Sequence, residues 1–198
     1  MSNGDVSQGR RRFLIGATSV VGGVGAVGAA VPFVASWNPS AKAEAAGAPV
    51  TVNVGKLEPG QQITVEWRGK PVWLIRRTQE MIDNLESMNE RVKDPASEEP
   101  SQQPAYIGGN ARSLKPELVV LVGICTHLGC VPSYRPEVAP EDLGAEWLGG
   151  MFCPCHGSRY DLSGRVFKNQ PAPLNLEVPP YRYDDDSTIT VGLDPETA

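Results

Sequence analysis

Charged residues are absent from one long stretch near the start of the chain. Residues 13–36, FLIGATSVVGGVGAVGAAVPFVAS, carry no charge over 24 positions, and five of these positions are glycine. A helix of about 20 apolar residues crosses a bilayer, and membrane helices carry glycine and proline more often than soluble helices do. A buried core helix would lose up to about 1 kcal/mol at each glycine. The pattern therefore predicts a transmembrane anchor helix.

Short runs of β-branched and aromatic residues dominate the chain after residue 49. Runs of this kind, separated by Gly, Pro, Asn and Asp, are typical of strands with short connections. They predict a mainly β, mostly antiparallel domain over residues 50–198. The runs occupy residues 50–54, 62–67, 71–77, 117–123, 164–167, 174–178, 181–183 and 187–193.

One helix is predicted to interrupt the strands, from a cap at Thr78 to about Lys93. Apolar side chains recur at helical spacing along this stretch and fall on one face. We expect that face to pack on a sheet rather than to form a site. Its members are Met81, Ile82, Leu85, Met88 and Val92.

Residues 37–49, WNPSAKAEAAGAP, separate the apolar stretch from the strands. They are rich in small residues and broken by two prolines and a glycine, which predicts a flexible hinge linker. Fully extended, it would span roughly 40 Å. Ala41-Lys42-Ala43 resembles a peptidase site, so cleavage of the anchor stays open, although we expect the anchor to be retained.

Arginines flank the apolar stretch on its N-terminal side only. By the positive-inside rule, residues 1–12 form a cytoplasmic arm and the remainder lies across the membrane. The segment RRRFLIG resembles the twin-arginine export signal, with Arg10 and Arg11 as the arginine pair. That resemblance implies export of an already folded domain, which suits a cofactor inserted in the cytoplasm.

The formal net charge of −5 is unevenly distributed. Residues 37–198 hold 15 basic and 22 acidic side chains, so the part beyond the anchor is more acidic than the whole. An acidic surface disfavours nucleic acid and suits a basic protein partner. Solubility alone explains the same charge equally well.

All four cysteines and both histidines lie in two hexapeptides, CTHLGC at 125–130 and CPCHGS at 153–158. A zinc site of two cysteines and two histidines is chemically possible, but it leaves Cys130 and Cys155 unexplained. Two disulfides suit an exported domain but give the histidines no role. A cysteine nucleophile paired with histidine would not need four cysteines.

Together the hexapeptides resemble the motifs of Rieske [2Fe-2S] proteins, in which one iron takes two cysteines and the other two histidines. The resemblance implies one cluster per chain. Its ligands would be Cys125 and Cys153 on the inner iron and His127 and His156 on the outer iron. A disulfide between Cys130 and Cys155 would brace the two loops. This extra pair is typical of electron-transfer Rieske proteins, whereas oxygenase components generally lack it.

The resemblance also implies roles for neighbouring residues. Ser158 and Tyr160 would donate hydrogen bonds to sulfur and raise the redox potential, because such bonds favour the reduced state. Residues 171–173 match a third loop that covers the cluster in this family. One departure from the family pattern is Gln170, which stands where a glycine often precedes that loop. The residues expected to shield the cluster are Leu128, Pro154, Pro171, Ala172 and Pro173.

Three further segments, SWNPSAKA, GKPVWLIRRT and PAPLNLEVPPY, look like parts of the Rieske subunits of bacterial cytochrome bc complexes. The likeness covers nearly the whole chain. It implies an antiparallel β-sandwich head with one inserted helix and a small cluster-binding subdomain at about 118–176. Residues 134–150 look variable in length, and we expect them to contact nothing.

This likeness implies a subunit of a proton-translocating quinol-cytochrome c oxidoreductase. The head would take an electron from ubiquinol at cytochrome b, with proton release, and pass it to a membrane-bound c-type cytochrome within a dimeric complex. His156 would be the principal quinol contact, with His127 also exposed. The head would lie in the periplasm, anchored in the bacterial inner membrane. Alternatives are the small Rieske subunit of an arsenite-oxidase-type enzyme and an electron-transfer component of an oxygenase.

Overall fold

The chain divides into two units, Met1–Ala45 and Ala46–Ala198. The structure is a computed structural model that describes residues 7–195, apart from the side chains of Lys42 and Ala46.

Helix α1 (Gln8–Ala35) forms most of the first unit and includes the predicted anchor. Within residues 7–195 it is the one helix long and apolar enough to cross a membrane. It begins five residues before the apolar stretch, because glutamine and arginine are good helix formers and continue the helix. Pro32 lies inside the helix, near its C-terminal end.

A second helix, α2 (Ala41–Gly47), occupies part of the predicted linker. The prolines of this stretch favour an irregular linker, but the intervening AKAEAAG is rich in alanine, which has the highest helix propensity. Ser40 supports the first turn by accepting a hydrogen bond from the backbone N–H of Ala43 at 3.2 Å. Residues 37–49 are therefore partly helical rather than irregular throughout.

The second unit is built from three antiparallel sheets of three strands each, in agreement with the predicted mainly β architecture. In chain order the strands are β1 (Val50–Asn53), β2 (Gln62–Trp67), β3 (Lys70–Arg76), β4 (Leu118–Val122), β5 (Ser133–Val138), β6 (Leu148–Phe152), β7 (Arg159–Tyr160), β8 (Tyr181–Tyr183) and β9 (Thr188–Val191). The strand orders are β1-β9-β8, β2-β3-β4 and β5-β6-β7.

Strands β3 and β4 form the centre of the main hydrophobic core. Every residue of β4, LVVLV, is buried, and its Val120 lies opposite Leu74 of β3. Continuous apolar runs are expected where both faces of a strand are covered. The same core includes Cys125 and Cys153, so the two predicted inner ligands are rooted in the most buried part of the head.

Helix α3 (Gln79–Ser87) starts at the predicted cap, since the Thr78 side chain accepts a hydrogen bond from the backbone N–H of Met81. It ends six residues before the predicted Lys93. The chain leaves the helix because the following segment pairs with an extended strand-like segment. Val92 forms an isolated β-bridge with Phe167, and the Lys93 N–H donates to Val166 O at 2.8 Å.

The expectation that residues 134–150 contact nothing is wrong. These residues contribute most of β5 and β6 and form a second hydrophobic cluster. Leu143 and Trp147 pack there against Met88, Val92 and Phe167. This segment therefore supplies most of the sheet from which β6 leads into the second hexapeptide.

Two of the predicted strands are absent from the described ladders. Within 164–167 the structure has only isolated bridges, at Val166 and Phe167. Residues 174–178 run beside β4 without forming a strand, although Glu177 O accepts from the Val122 N–H at 2.8 Å. Single hydrogen bonds of this kind satisfy the backbone without a regular sheet.

Three arginines of the head are buried, although arginine is usually exposed. Arg165 pairs with Asp161 at 2.7 Å, and their side chains are 0% and 2% exposed. Arg112 donates to the backbone oxygens of Ser163 and Leu176, and Arg77 donates to the Ser163 hydroxyl. Burial lowers the pKa of Arg77 and of Arg112 to about 10, so both remain cationic near neutral pH.

Replacing Arg165 by methionine should destabilise the head by at least about 3 kcal/mol, because it leaves the Asp161 carboxylate buried without its ion pair. The free energy of unfolding in urea, followed by circular dichroism, measures this. Lys115→Met is the control, since Lys115 forms a solvent-exposed pair with Asp186 and exposed pairs contribute less than about 1 kcal/mol. Equal losses in the two variants would contradict the prediction.

Candidate metal centre

The two hexapeptides form matching loops at the ends of neighbouring buried segments. The first loop (125–130) follows β4 and the second loop (153–158) follows β6 directly. In the first loop the Cys125 N–H donates to Cys130 O at 2.7 Å, and in the second the Cys153 N–H donates to Ser158 O at 2.8 Å. The backbone therefore closes both loops in the same way.

A glycine in the left-handed region completes each loop. Gly129 has a φ of 82° and Gly157 a φ of 78°, values that L side chains rarely adopt. Their N–H groups donate to the carbonyls of Cys125 and Cys153, at 3.0 and 2.9 Å. The glycine that follows Leu128 and the one that follows His156 thus serve the same geometric purpose.

The loops bring two free thiols together in the core. Cys125 is 2% exposed and Cys153 is 1% exposed, and both are free cysteines. Burial, followed by the neighbouring Cys125, raises the pKa of the Cys153 thiol. Two thiolates side by side in a low-dielectric interior require a compensating positive charge, which a metal ion supplies.

The two imidazoles lie next to each other, with their ring centroids 4.7 Å apart and their planes at 84°. His127 is partly buried, whereas His156 is exposed. The Nδ1 atom of His127 is buried and has no hydrogen-bond partner within the described residues. A buried polar atom without a partner is rare, and an imidazole nitrogen in this state is a candidate metal ligand.

Cys130 and Cys155 are joined in a disulfide that crosses from the first loop to the second. Their sulfur atoms and that of Cys153 lie within 4.8 Å of one another, but the disulfide leaves only Cys153 of these three able to bind metal as a thiolate. The disulfide also separates structural cysteines from free ones, as the family resemblance implied. It holds together two loops that belong to different strand connections.

A third loop, residues 171–173, is fastened to both of the others. The Ala172 N–H donates to Ser158 Oγ at 3.1 Å, and the Thr126 hydroxyl donates to Leu174 O at 2.6 Å. Asn169, two residues before this loop, has a φ of 59°, a conformation that asparagine tolerates. Gln170 is not among the residues with a positive φ, so its position does not require a glycine.

The residues expected to shield the centre differ in exposure. Ala172 is fully buried, and Leu128 is 71% exposed. Pro154, Pro171 and Pro173 are also exposed. These four exposed side chains lie on the three loops around the cysteines and imidazoles, and their shielding role stays a prediction.

Tyr160 is buried beneath the first loop, with its hydroxyl 3.1 Å from Cys125 Sγ. The same oxygen accepts a hydrogen bond from the Thr126 N–H at 3.2 Å. Burial, and then the neighbouring Cys125, raises the pKa of Tyr160 far above its usual value, so the hydroxyl keeps its proton. With its oxygen accepting from Thr126, that proton is available to the sulfur.

Ser158 is also buried, and its oxygen accepts the hydrogen bond from Ala172 described above. Its own hydroxyl proton therefore remains available to a second acceptor.

Thr126 was not predicted from the sequence, although its position between Cys125 and His127 could have drawn attention to it. It joins the first loop both to Tyr160 and to the third loop.

The donor set fits an iron–sulfur centre of mixed ligation. Two free buried thiols and two adjacent imidazoles are what such a centre requires. The structure excludes the hypothesis of two disulfides, because Cys125 and Cys153 are free.

The predicted export pair, Arg10 and Arg11, lies in α1 within the first unit.

Comparisons with known proteins agree with this chemistry. Residues 1–40 match the family model described as the Fe-S subunit TAT signal of ubiquinol-cytochrome c reductase, and residues 48–181 match the Rieske [2Fe-2S] domain. The chain is 58% identical over 194 residues to the ubiquinol-cytochrome c reductase iron-sulfur subunit of Allochromatium vinosum, covering 98% of this chain and 93% of that relative.

Two further similarities extend over most of the chain. The ubiquinol-cytochrome c reductase iron-sulfur subunit of Rhodospirillum rubrum is 44% identical over 183 residues, covering 92% of this chain and 91% of that relative. Among solved structures, a chain of "Hyperthermophilic respiratory Complex III" is 28% identical, with a TM-score of 0.49 over 90% of this chain and 98% of that chain.

Replacing Cys130 and Cys155 together by alanine should lower the free energy of unfolding of the head by about 3 kcal/mol. The cross-link joins residues 25 positions apart, and removing it increases the entropy of the unfolded chain by about this amount. Urea unfolding followed by circular dichroism measures the change. Reductant should shift the wild type towards the double variant and leave the variant unchanged; equal midpoints without reductant would refute the prediction.

Proposed function

Because the chain belongs to the Rieske [2Fe-2S] family of ubiquinol-cytochrome c reductase iron-sulfur subunits, we propose that Cys125, Cys153, His127 and His156 hold its cluster. The chain carries a [2Fe-2S] cluster and acts in electron transfer within a cytochrome bc complex. When bound, such a cluster supplies a one-electron redox couple, with potentials in Rieske proteins of roughly −150 to +300 mV.

One observation carries the ligand assignment. The buried Nδ1 of His127 lacks a partner within the described residues, and its ring lies 4.7 Å from that of His156. Both imidazoles extend from loops whose first residues are free, buried thiols. Each loop thus contributes one inner thiolate and one outer imidazole.

The chain's own groups set the electrostatics of this site. The Tyr160 hydroxyl donates to Cys125 Sγ, and a hydrogen bond to a thiolate stabilises added negative charge. Ser158 holds the third loop through Ala172 and has a hydroxyl proton to donate. The effect of both hydroxyls is to favour the reduced form and raise the potential.

The exposed ring of His156 is the contact proposed for ubiquinol, with His127 beside it. An accessible imidazole nitrogen can accept the hydrogen bond of a quinol hydroxyl and then hold its proton. Leu128 and Pro154 are exposed apolar residues of the same two loops, which suits a hydrophobic quinol. Proton release therefore accompanies electron transfer at this ring, as proton translocation by the complex requires.

The proposed partners are cytochrome b, a membrane-bound c-type cytochrome and ubiquinol, within a dimeric complex. The N-terminal helix and the twin-arginine signal region fit a membrane-anchored bacterial subunit. Residues 1–12 are proposed to lie in the cytoplasm, residues 37–49 to form the hinge, and residues 50–198 to lie in the periplasm. Near full-length similarity to ubiquinol-cytochrome c reductase subunits favours this function over the arsenite-oxidase and oxygenase alternatives.

Replacing Tyr160 by phenylalanine should lower the midpoint potential of the centre by about 60 mV. This is the one-electron equivalent of about 1.4 kcal/mol, within the range for a hydrogen bond to a charged group. A redox titration measures it. Tyr134→Phe is the matched control, because the Tyr134 hydroxyl is partly buried but donates to Gly60 O, away from the loops. An unchanged potential in Tyr160→Phe would exclude its role.

Replacing His156 by alanine should reduce ubiquinol-dependent reduction of cytochrome c in membranes to background. The variant removes both a proposed ligand and the proposed quinol contact, so the iron content of the purified complex should fall as well. Lys56→Gln, an exposed change outside the loops, should leave both measurements unchanged. Wild-type activity in His156→Ala would rule out the proposed function of this site.

A further inference from the structure

A cavity of about 200 Å³ opens on the surface next to the second loop, and Arg159, which follows that loop, is one of its lining residues. It is formed by the turn after α3, by β7 and by the segment leading into the third loop. Liquid water occupies about 30 Å³ per molecule, so the cavity has room for a small polyatomic ion with some water. Its lining residues are Arg91, Trp147, Arg159, Phe167, Lys168 and Gln170.

The lining carries three positive charges and no negative charge, although the head as a whole is acidic. Glu146 pairs with a lining residue, since its Oε2 lies 3.2 Å from Arg91 Nη2, and its side chain is 86% exposed. Asp142 is held by Arg135 through two hydrogen bonds, at 2.8 and 2.9 Å. The cavity therefore keeps a surplus of positive charge after these two acids are counted.

The cations have hydrogen-bond donors to spare. Arg159 Nη1 donates to Leu143 O at 3.3 Å, and its Nε and Nη2 have no protein acceptor within residues 7–195. Lys168 Nζ donates to Glu90 O at 2.6 Å and has further N–H bonds available. A bound anion would satisfy these donors without displacing a structural contact.

Two aromatic side chains form part of the cavity lining. The rings of Trp147 and Phe167 stack with centroids 6.2 Å apart, and the Arg91 guanidinium lies over the Phe167 ring at 5.3 Å. The indole N–H of Trp147 already donates to Arg135 O at 3.1 Å. The low polarity of these rings strengthens the attraction between the surrounding positive charges and an anion. Selection against cations comes from the three cationic side chains of the lining.

We propose that this cavity binds a phosphate group. The guanidinium fork of arginine matches a tetrahedral oxyanion through paired hydrogen bonds, and Arg159 has the donors for it. Arg91 contributes positive charge to the lining, since its Nη1 and Nη2 donate to Glu146. The source is either free phosphate or the headgroup of a phospholipid. Because Arg159 follows Ser158 and Gln170 precedes Pro171, bound phosphate would place negative charge beside two of the three loops. The site is separate from the proposed ligands and goes beyond the electron-transfer function.

Isothermal titration of the cluster-loaded full chain in a neutral detergent, at constant ionic strength, tests the proposal with inorganic phosphate as the probe. Arg159→Gln and Lys168→Gln should each weaken binding about tenfold or more, the loss expected for a charged hydrogen bond. Lys56→Gln removes one exposed positive charge outside the cavity and should leave the affinity unchanged. The visible spectrum of each variant checks that the centre itself is intact.

A second titration uses a short-chain phosphatidylglycerol below its micellar concentration. Binding of both probes, lost in the two cavity variants, supports a general phosphate site; binding of the lipid alone supports a headgroup site. The proposal is overturned if neither probe binds, or if Lys168→Gln and Arg159→Gln bind as the wild type does. Either negative result leaves quinol-dependent activity unaffected, so it is distinguishable from a failure of the electron-transfer assignment.

Discussion

Burying two ionisable thiols side by side is the constraint on which the head is built. Cys125 and Cys153 belong to the main core, where an uncompensated thiolate pair would be strongly unfavourable. The surrounding features hold the two loops so that a positively charged centre can meet both sulfurs. The disulfide joins the loops at their outer side, Tyr160 supports the first loop from below, and the third loop is hydrogen-bonded to both.

The two loops of the centre share one backbone arrangement. Both loops use a cysteine-to-loop-end hydrogen bond and a left-handed glycine, so two short segments with little sequence in common adopt one backbone form. The loops differ in the residue whose carbonyl accepts the closing hydrogen bond. The first loop ends in a disulfide cysteine, whereas the second ends in Ser158, whose oxygen receives the Ala172 N–H. The second loop is therefore joined to the third through Ser158. The first loop is joined to the third by the Thr126 hydroxyl, which donates to Leu174 O.

The sequence was sufficient for the elements whose signals are local. The Thr78 cap, the apolar β4 and the six clustered Cys and His residues each carry a recognisable pattern. Strands β5 and β6 were missed because SYRPEV includes a proline and exposes both faces in part, while LGGMF includes two glycines that weaken the strand signal. The buried arginines were missed since their acceptors, backbone carbonyls and Asp161, become neighbours only after folding.

The two imidazoles of the centre differ in their exposure. His127 is partly buried, with its Nδ1 enclosed, whereas the ring of His156 is open to solvent. Solvent and any molecule that approaches the two rings from outside therefore meet His156 first. The pair thus presents one ring to the surroundings and keeps one nitrogen of the other for the interior.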